Sequence, residues 1–157
     1  MAFKTRLKLF LFLYAFSFYG HAQEFNEQLL SPDKNTTYNV YRKQDGGIFY
    51  TIKYNGKDVI APSELNIQLD NHWSEWALGI KKHPGTDWMK DLELKNVLRT
   101  QKDTTWKPLY GERSLIKDQY NGITLQFDQL ASSNYKMNIE IRAYNEGVAF
   151  RYYFPDN

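Results

Sequence analysis

The amino-acid sequence predicts an all-β fold, an antiparallel β-sandwich, and three observations carry that prediction. Apolar and polar residues alternate in short runs at hairpin spacing, while no stretch sustains a helical period. Turn signals separate the runs, Asn55-Gly56 being the strongest. The 157 residues include no Cys, so burial of apolar surface and not a disulfide framework must hold the chain together.

The elements follow in order. Tyr38–Lys43 reads as a strand closed by Gln44-Asp45-Gly46-Gly47. Ile48–Tyr54 comes next, with Ile48, Tyr50, Ile52 and Tyr54 on one face. Asn55 and Gly56 tolerate the positive φ of a type I′ turn, so Lys57–Ile60 pairs back. Pro62 has no N–H to donate and is read as the end of that ladder. Leu65, Ile67 and Leu69 alternate with Asn66 and Gln68 as a further strand. Leu92–Gln101 is a weaker one. Ile123, Leu125 and Phe127 form one apolar face, and Met137, Ile139 and Ile141 form another. Asn145-Glu146-Gly147 then turns the chain into Val148–Phe154. Seven or eight short strands at this spacing argue for a sandwich. Asp70–Asp91 is read as a long irregular loop holding Trp73, Trp76 and Trp88, a length that is uncommon unless functional.

The first 22 residues read as an export signal and not as structure. Lys4, Arg6 and Lys8 precede the apolar run Leu9–Tyr19, and Gly20-His21-Ala22 supplies small residues for cleavage. That run is too short for a transmembrane anchor, which needs about 20 apolar residues. Residues 23–157 are then the mature domain, without a membrane span. An exported chain without Cys suits a bacterial periplasm, cell surface or extracellular space. Signal removal takes three of the 20 basic side chains and none of the 18 acidic ones. The near-neutral remainder excludes a nucleic-acid partner bound by phosphate neutralisation. The closing aromatic strand, with Tyr152, Tyr153 and Phe154, belongs in a sheet interior, so the chain reads as the front part of a longer protein.

Few residues offer chemistry of their own. Without Cys there is no thiol nucleophile or Cys-ligated zinc, and His72 and His83 have no zinc spacing. No Gly-x-Ser-x-Gly elbow or phosphate loop is present. Glu64, Glu75, Glu93, Glu112, Glu140 and Glu146 could serve glycoside chemistry, but spacing pairs no two of them. Trp73, Trp76 and Trp88 are candidates for stacking on a sugar ring, with packing of the loop onto the sheet as the alternative. In Thr105–Ser114, Pro108 and Gly111 force a bend beyond which Glu112 and Arg113 lie, either as ligand contacts or as a buried ion pair.

Trp106-Lys107-Pro108-Leu109-Tyr110-Gly111-Glu112-Arg113-Ser114, Tyr120-Asn121 and the stretch from Arg142-Ala143-Tyr144 through Gly147-Val148-Ala149-Phe150-Arg151-Tyr152 stand in that order. They resemble the N-terminal domain of glycoside hydrolase family 97, as do Leu30–Lys34, Asp45–Lys57 and Pro62–Leu65. The resemblance covers most of residues 26–157, but not Asp70–Asp91. It implies a galactose-mutarotase-like super-sandwich, incomplete here, in front of a (β/α)8 barrel and a small β domain. It further implies an exported exo-acting α-glucosidase or α-galactosidase, acting on oligosaccharides with a terminal α-linked glucose or galactose. In such enzymes one carboxylic acid protonates the glycosidic oxygen, and a second carboxylate attacks or activates water. By the resemblance these groups belong to the missing C-terminal catalytic barrel. Calcium is expected in the full-length enzyme, with its domain-borne glutamate beyond Asn157. No catalytic or metal residue is therefore assigned to this chain, and the fragment alone is expected to be inactive. Trp106, Glu112 and Arg113 are candidates for facing the barrel or the sugar. The alternatives are a stand-alone exported carbohydrate-binding module and a structural sandwich of a surface assembly.

Overall fold

A computed structural model of the chain describes residues 24–79, 87–129 and 135–155. The predicted signal segment and His83 lie outside the described residues. The elements run β1 (Asn26–Leu30), β2 (Thr36–Arg42), β3 (Ile48–Tyr54), β4 (Lys57–Glu64), α1 (Asn71–Leu78), β5 (Leu92–Trp106), β6 (Ile116–Gln129), β7 (Lys136–Tyr144) and β8 (Gly147–Tyr153). They form two four-stranded antiparallel sheets, β1-β2-β3-β4 and β5-β6-β7-β8. β1 faces β6 and β2 faces β7. Tyr50 of β3 meets Phe150 of β8 with ring centroids 6.0 Å apart, which sets β3 over β8. This is the sandwich that the alternation predicts.

Period-two patterning fills the space between the sheets. Tyr38 and Val40 of β2 point inward with Ile48 of β3. Opposite them lie Ile123, Leu125 and Phe127 of β6 and Met137, Ile139, Ile141 and Ala143 of β7. Each of these is essentially buried, and burial of such a side chain contributes about 1.5–3 kcal/mol. Asn55 and Gly56 adopt φ of 48° and 76°, the left-handed pair that closes the β3–β4 hairpin. At the β1–β2 turn Asp33 accepts from the Ser31 hydroxyl and the Asn35 amide, which lowers its pKa. The Asp33 amide donates to Asn145 Oδ1 at 3.0 Å, tying this turn to the β7–β8 turn of the other sheet.

Four expectations need correction. Pro62 does not end the ladder: β4 runs on to Glu64, because an edge strand needs no donor on its open side and register shifts absorb the irregularity. Leu65, Ile67 and Leu69 form no strand beyond a single Gln68–Asp87 bridge. Their alternation marks the inward face of an extended segment, with Leu65 buried and Ile67 and Leu69 half-buried, and the Leu65 amide donates to the Ile48 carbonyl at 2.8 Å. The Trp-rich loop contains a helix, α1, opened by Asp70 and closed by Gly79 at φ 65°. Asp70 Oδ1 accepts the Trp73 amide at 3.3 Å, as an N-cap does. Finally, β5 is 15 residues long and runs well past Gln101.

Candidate functional site

The extra length of β5 builds the most distinctive surface of the molecule. Arg99 marks where the β5–β6 hairpin leaves the sandwich. Its guanidinium donates to the Gln28 carbonyl at 3.0 Å and pairs with Glu27 at 2.5 Å. On β6, Asn121 Nδ2 donates to the Leu30 carbonyl at 2.8 Å. Beyond this level the register continues unbroken from Thr100–Gly122 to Trp106–Ile116. At about 3.4 Å per residue, the paired ribbon carries Trp106 about 20 Å past Thr100. Every residue of β5 from Leu98 to Trp106 is exposed.

Local pairs hold this ribbon. Lys102 Nζ meets Asp118 at 2.6 Å, which raises the lysine pKa, and Gln119 donates to Asp103 at 3.0 Å. Such solvent-exposed pairs are screened and contribute little. At the tip, Gly111 takes φ 125°, where a side chain would be strained. The resulting bend presents Leu109 at 100% exposure and Tyr110 at 89%, flanked by exposed Trp106 and Leu115. Glu112 and Arg113 are exposed at the same bend, and among the described residues neither carries an ion pair. A buried ion pair, one of the two readings of that dipeptide, is thus not formed.

The structure therefore brings the predicted Trp106, Glu112 and Arg113 together at one tip. Sequence reasoning missed Leu109, Tyr110 and Leu115, which supply most of its apolar surface. The available signal was the insertion of large apolar residues into a Pro/Gly turn, where folding gives them nothing to pack on.

The three tryptophans of the Asp70–Asp91 segment separate into two roles. Trp73 and Trp76 stand three residues apart on α1, which places them on one helix face. Their rings meet edge to face at 6.4 Å and are 67% and 79% exposed. Trp88 is buried and has no open face. Its ring packs on Tyr135 at 4.8 Å and Phe154 at 5.7 Å, and its carbonyl accepts the Tyr135 hydroxyl at 2.5 Å. Burial pushes the Tyr135 phenol pKa up. Trp88 is an anchor and offers no surface to a sugar.

Of the glutamates that could serve glycoside chemistry, Glu140 is held in ion pairs. Glu140 sits on the outer face of the second sheet between Arg142 at 2.5 Å and Arg151 at 2.6 Å. Burial opposes its ionisation, but the two guanidinium groups outweigh that and lower its pKa. It is therefore a fixed anion at neutral pH and no proton donor. The Arg142 guanidinium also lies 4.7 Å from the Tyr120 ring centroid, joining β6 to β7 on this face. Among the described residues no group of three or more His, Asp or Glu side chains could hold a metal ion.

Comparison with known proteins gives a consistent result. The family described as Glycosyl-hydrolase 97 N-terminal matches residues 29–157. A retaining alpha-galactosidase of Bacteroides thetaiotaomicron is 30% identical over 126 residues, spanning 79% of this chain and 16% of that protein. A glycoside hydrolase family 97 enzyme from Pseudoalteromonas sp. strain K8, solved in complex with acarbose, superposes with a TM-score of 0.64 at 22% identity. That match covers 82% of this chain and 17% of the enzyme. A beta-arabinopyranosidase superposes with the same TM-score of 0.64 at 21% identity, over 83% of this chain and 18% of its own. These structures share the fold, and this chain spans less than a fifth of each relative's length.

Proposed function

The chain belongs to the Glycosyl-hydrolase 97 N-terminal family, and from that premise we propose that it is the supporting β-sandwich of an exported exo-acting α-glycosidase. The single observation that carries its role is the apolar tip of the β5–β6 hairpin. An exposed tip of Trp106, Leu109, Tyr110 and Leu115, held away from the sandwich core, is built for contact with another surface. In this reading the tip docks on the catalytic portion of the parent polypeptide. Glu112 and Arg113 form the polar rim of that contact.

The parent would release terminal α-linked galactose or glucose from oligosaccharides. The resemblance to a retaining alpha-galactosidase supports the galactoside. Acid, nucleophile or base, and calcium would all reside in the catalytic portion. Export to the periplasm or cell surface follows from the segment of residues 1–22.

The test is a Trp106→Ala/Tyr110→Ala double variant. In the parent polypeptide, carried in frame past Asn157, it should lower the melting temperature and the rate on nitrophenyl α-galactoside together. In the 157-residue chain it should leave the melt unchanged. A parent with unaltered stability and rate would refute the docking role.

The exposed Trp73–Trp76 pair favours a second role, direct sugar contact by stacking. Isothermal titration of the chain with maltose and melibiose tests it. Binding lost in Trp76→Ala supports a binding module, and no heat at millimolar sugar removes it.

A further inference from the structure

The tripeptide Tyr-Asn-Gly occurs twice, as Tyr54-Asn55-Gly56 and as Tyr120-Asn121-Gly122, and the fold treats the two copies in opposite ways. Asn-Gly carries a reactivity of its own. The glycine nitrogen has no side chain beside it, so it can close on the carboxamide carbon of the preceding asparagine. The attack requires the peptide between the two residues to rotate out of its folded position. Local stability therefore decides where it occurs.

At Asn55-Gly56 little resists that rotation. Both residues are exposed, as are Tyr54, Lys57, Asp58 and Val59 around them. β4 is the last strand of its sheet, and its pairing with β3 shifts register at Ile52. Opening this end of the hairpin uncovers almost no core. Among the described residues, a Cβ placed on Gly56 would meet nothing within 4 Å apart from its chain neighbours, so the space around the attacking nitrogen is open. The Asn55 amide donates to the Asn35 carbonyl at 2.8 Å, but that bond lies on the other side of the Asn55 Cα and does not hold the Asn55–Gly56 peptide.

At Asn121-Gly122 the sheet prevents it. Asn121 is paired with Gln101 of β5 on one side and Ala143 of β7 on the other. Its Nδ2, the atom that would have to leave, donates to the Leu30 carbonyl at 2.8 Å. Gly122 is buried, and a Cβ there would collide with Thr100 Oγ1. Reaction at this copy needs the sandwich itself to open.

We propose that Asn55 is a site of self-modification, losing its side-chain amide to attack by the Gly56 nitrogen, while the fold keeps Asn121 intact. The bond from Gly56 N to Asn55 Cγ forms and the Cγ–Nδ2 bond breaks. Nδ2 leaves as ammonia, with the proton that Gly56 N gives up. Water then adds across one of the two carbonyl–nitrogen bonds of the five-membered ring. Opening at Cγ gives aspartate, and Asp-Gly fits the same type I′ turn, with a new negative charge next to Lys57. Opening at the main-chain carbonyl gives isoaspartate, whose backbone runs through the former side chain. The turn is then too long for two residues, so the Tyr54–Lys57 and Lys53–Asp58 pairings are lost together with the Lys53–Asp58 ion pair.

Peptide mapping by mass spectrometry, with isoaspartyl methyltransferase labelling, decides it on the 157-residue chain held in warm, mildly alkaline buffer with and without urea. In the folded chain the Asn55 peptide should convert at least about a hundredfold faster than the Asn121 peptide. In urea the two should react at similar rates. Equal rates in the folded chain would overturn the proposal, and so would a preference for Asn55 that persists undiminished in urea, since sequence and not the fold would then set it. Asn55→Asp should melt as the untreated chain does, whereas the isolated isoaspartyl fraction should melt lower. Identical melting of the two would overturn the loss of register.

Discussion

Two buried tyrosines give a matched experiment on what holds this sandwich together. Tyr135 and Tyr38 are both fully buried and both packed on aromatic rings. Their hydroxyls differ: Tyr135 donates to the Trp88 carbonyl, whereas the Tyr38 hydroxyl has no partner among the described residues. Tyr→Phe removes one oxygen in each case and leaves the ring packing in place. At Tyr135 it deprives a buried carbonyl of its donor, a loss of about 1–3 kcal/mol. At Tyr38 it removes a hydroxyl desolvated without compensation, a gain of about 1 kcal/mol. For a domain of this size 1 kcal/mol corresponds to roughly 3–5 °C in melting temperature. Tyr135→Phe should therefore melt several degrees lower than the parent chain, and Tyr38→Phe a few degrees higher. Urea titration followed by tryptophan fluorescence measures both, and parallel slopes would establish that stability alone has changed. Equal destabilisation by the two substitutions would refute the reasoning, since ring packing and not hydrogen bonding would then govern both sites.

Other outcomes follow from single contacts. Gly122→Ala would place its Cβ 2.4 Å from Thr100 Oγ1 and 3.3 Å from the Tyr120 ring, so it should cost about 1–3 kcal/mol in a chemical melt. Glu140 has a folded pKa below its ordinary 4.5. Its contribution is therefore complete above that ordinary value and is lost as the pH falls through the lower folded value. Glu140→Gln should lower the neutral plateau and flatten that acid limb, so that the two stability profiles converge at low pH. Trp88→Ala should destabilise the chain by about 3–5 kcal/mol, whereas Trp76→Ala should change a thermal melt by no more than about 0.5 kcal/mol.

What could be read in the sequence was the part governed by local periodicity. The alternation of Ile123, Leu125 and Phe127 and of Met137, Ile139 and Ile141 identifies the inner faces of β6 and β7, and Asn55-Gly56 identifies a hairpin, because each is a local rule. The helix α1 was missed although Asp70 and Gly79 are its caps, since eight residues are too few to display a helical period. The full length of β5 was also hidden. Arg99–Thr105 is polar on both faces, as befits a ribbon outside the sandwich, so no alternation marks it. Trp73, Trp76 and Trp88 look alike in sequence. Only the tertiary fold separates two exposed rings on α1 from one sealed against Tyr135. At the hairpin tip the charged Glu112 and Arg113 drew notice, while Leu109 and Tyr110 look like ordinary core residues until the bend turns them outward.

The most direct measurement is the initial rate of nitrophenyl α-galactoside and α-glucoside hydrolysis by the polypeptide carried in frame past Asn157, beside the 157-residue chain. Turnover by the longer protein and none by the shorter one is the expected result. Hydrolysis by the 157-residue chain itself would contradict its reading as a supporting sandwich. A longer protein inactive on both substrates would contradict its place in an α-glycosidase.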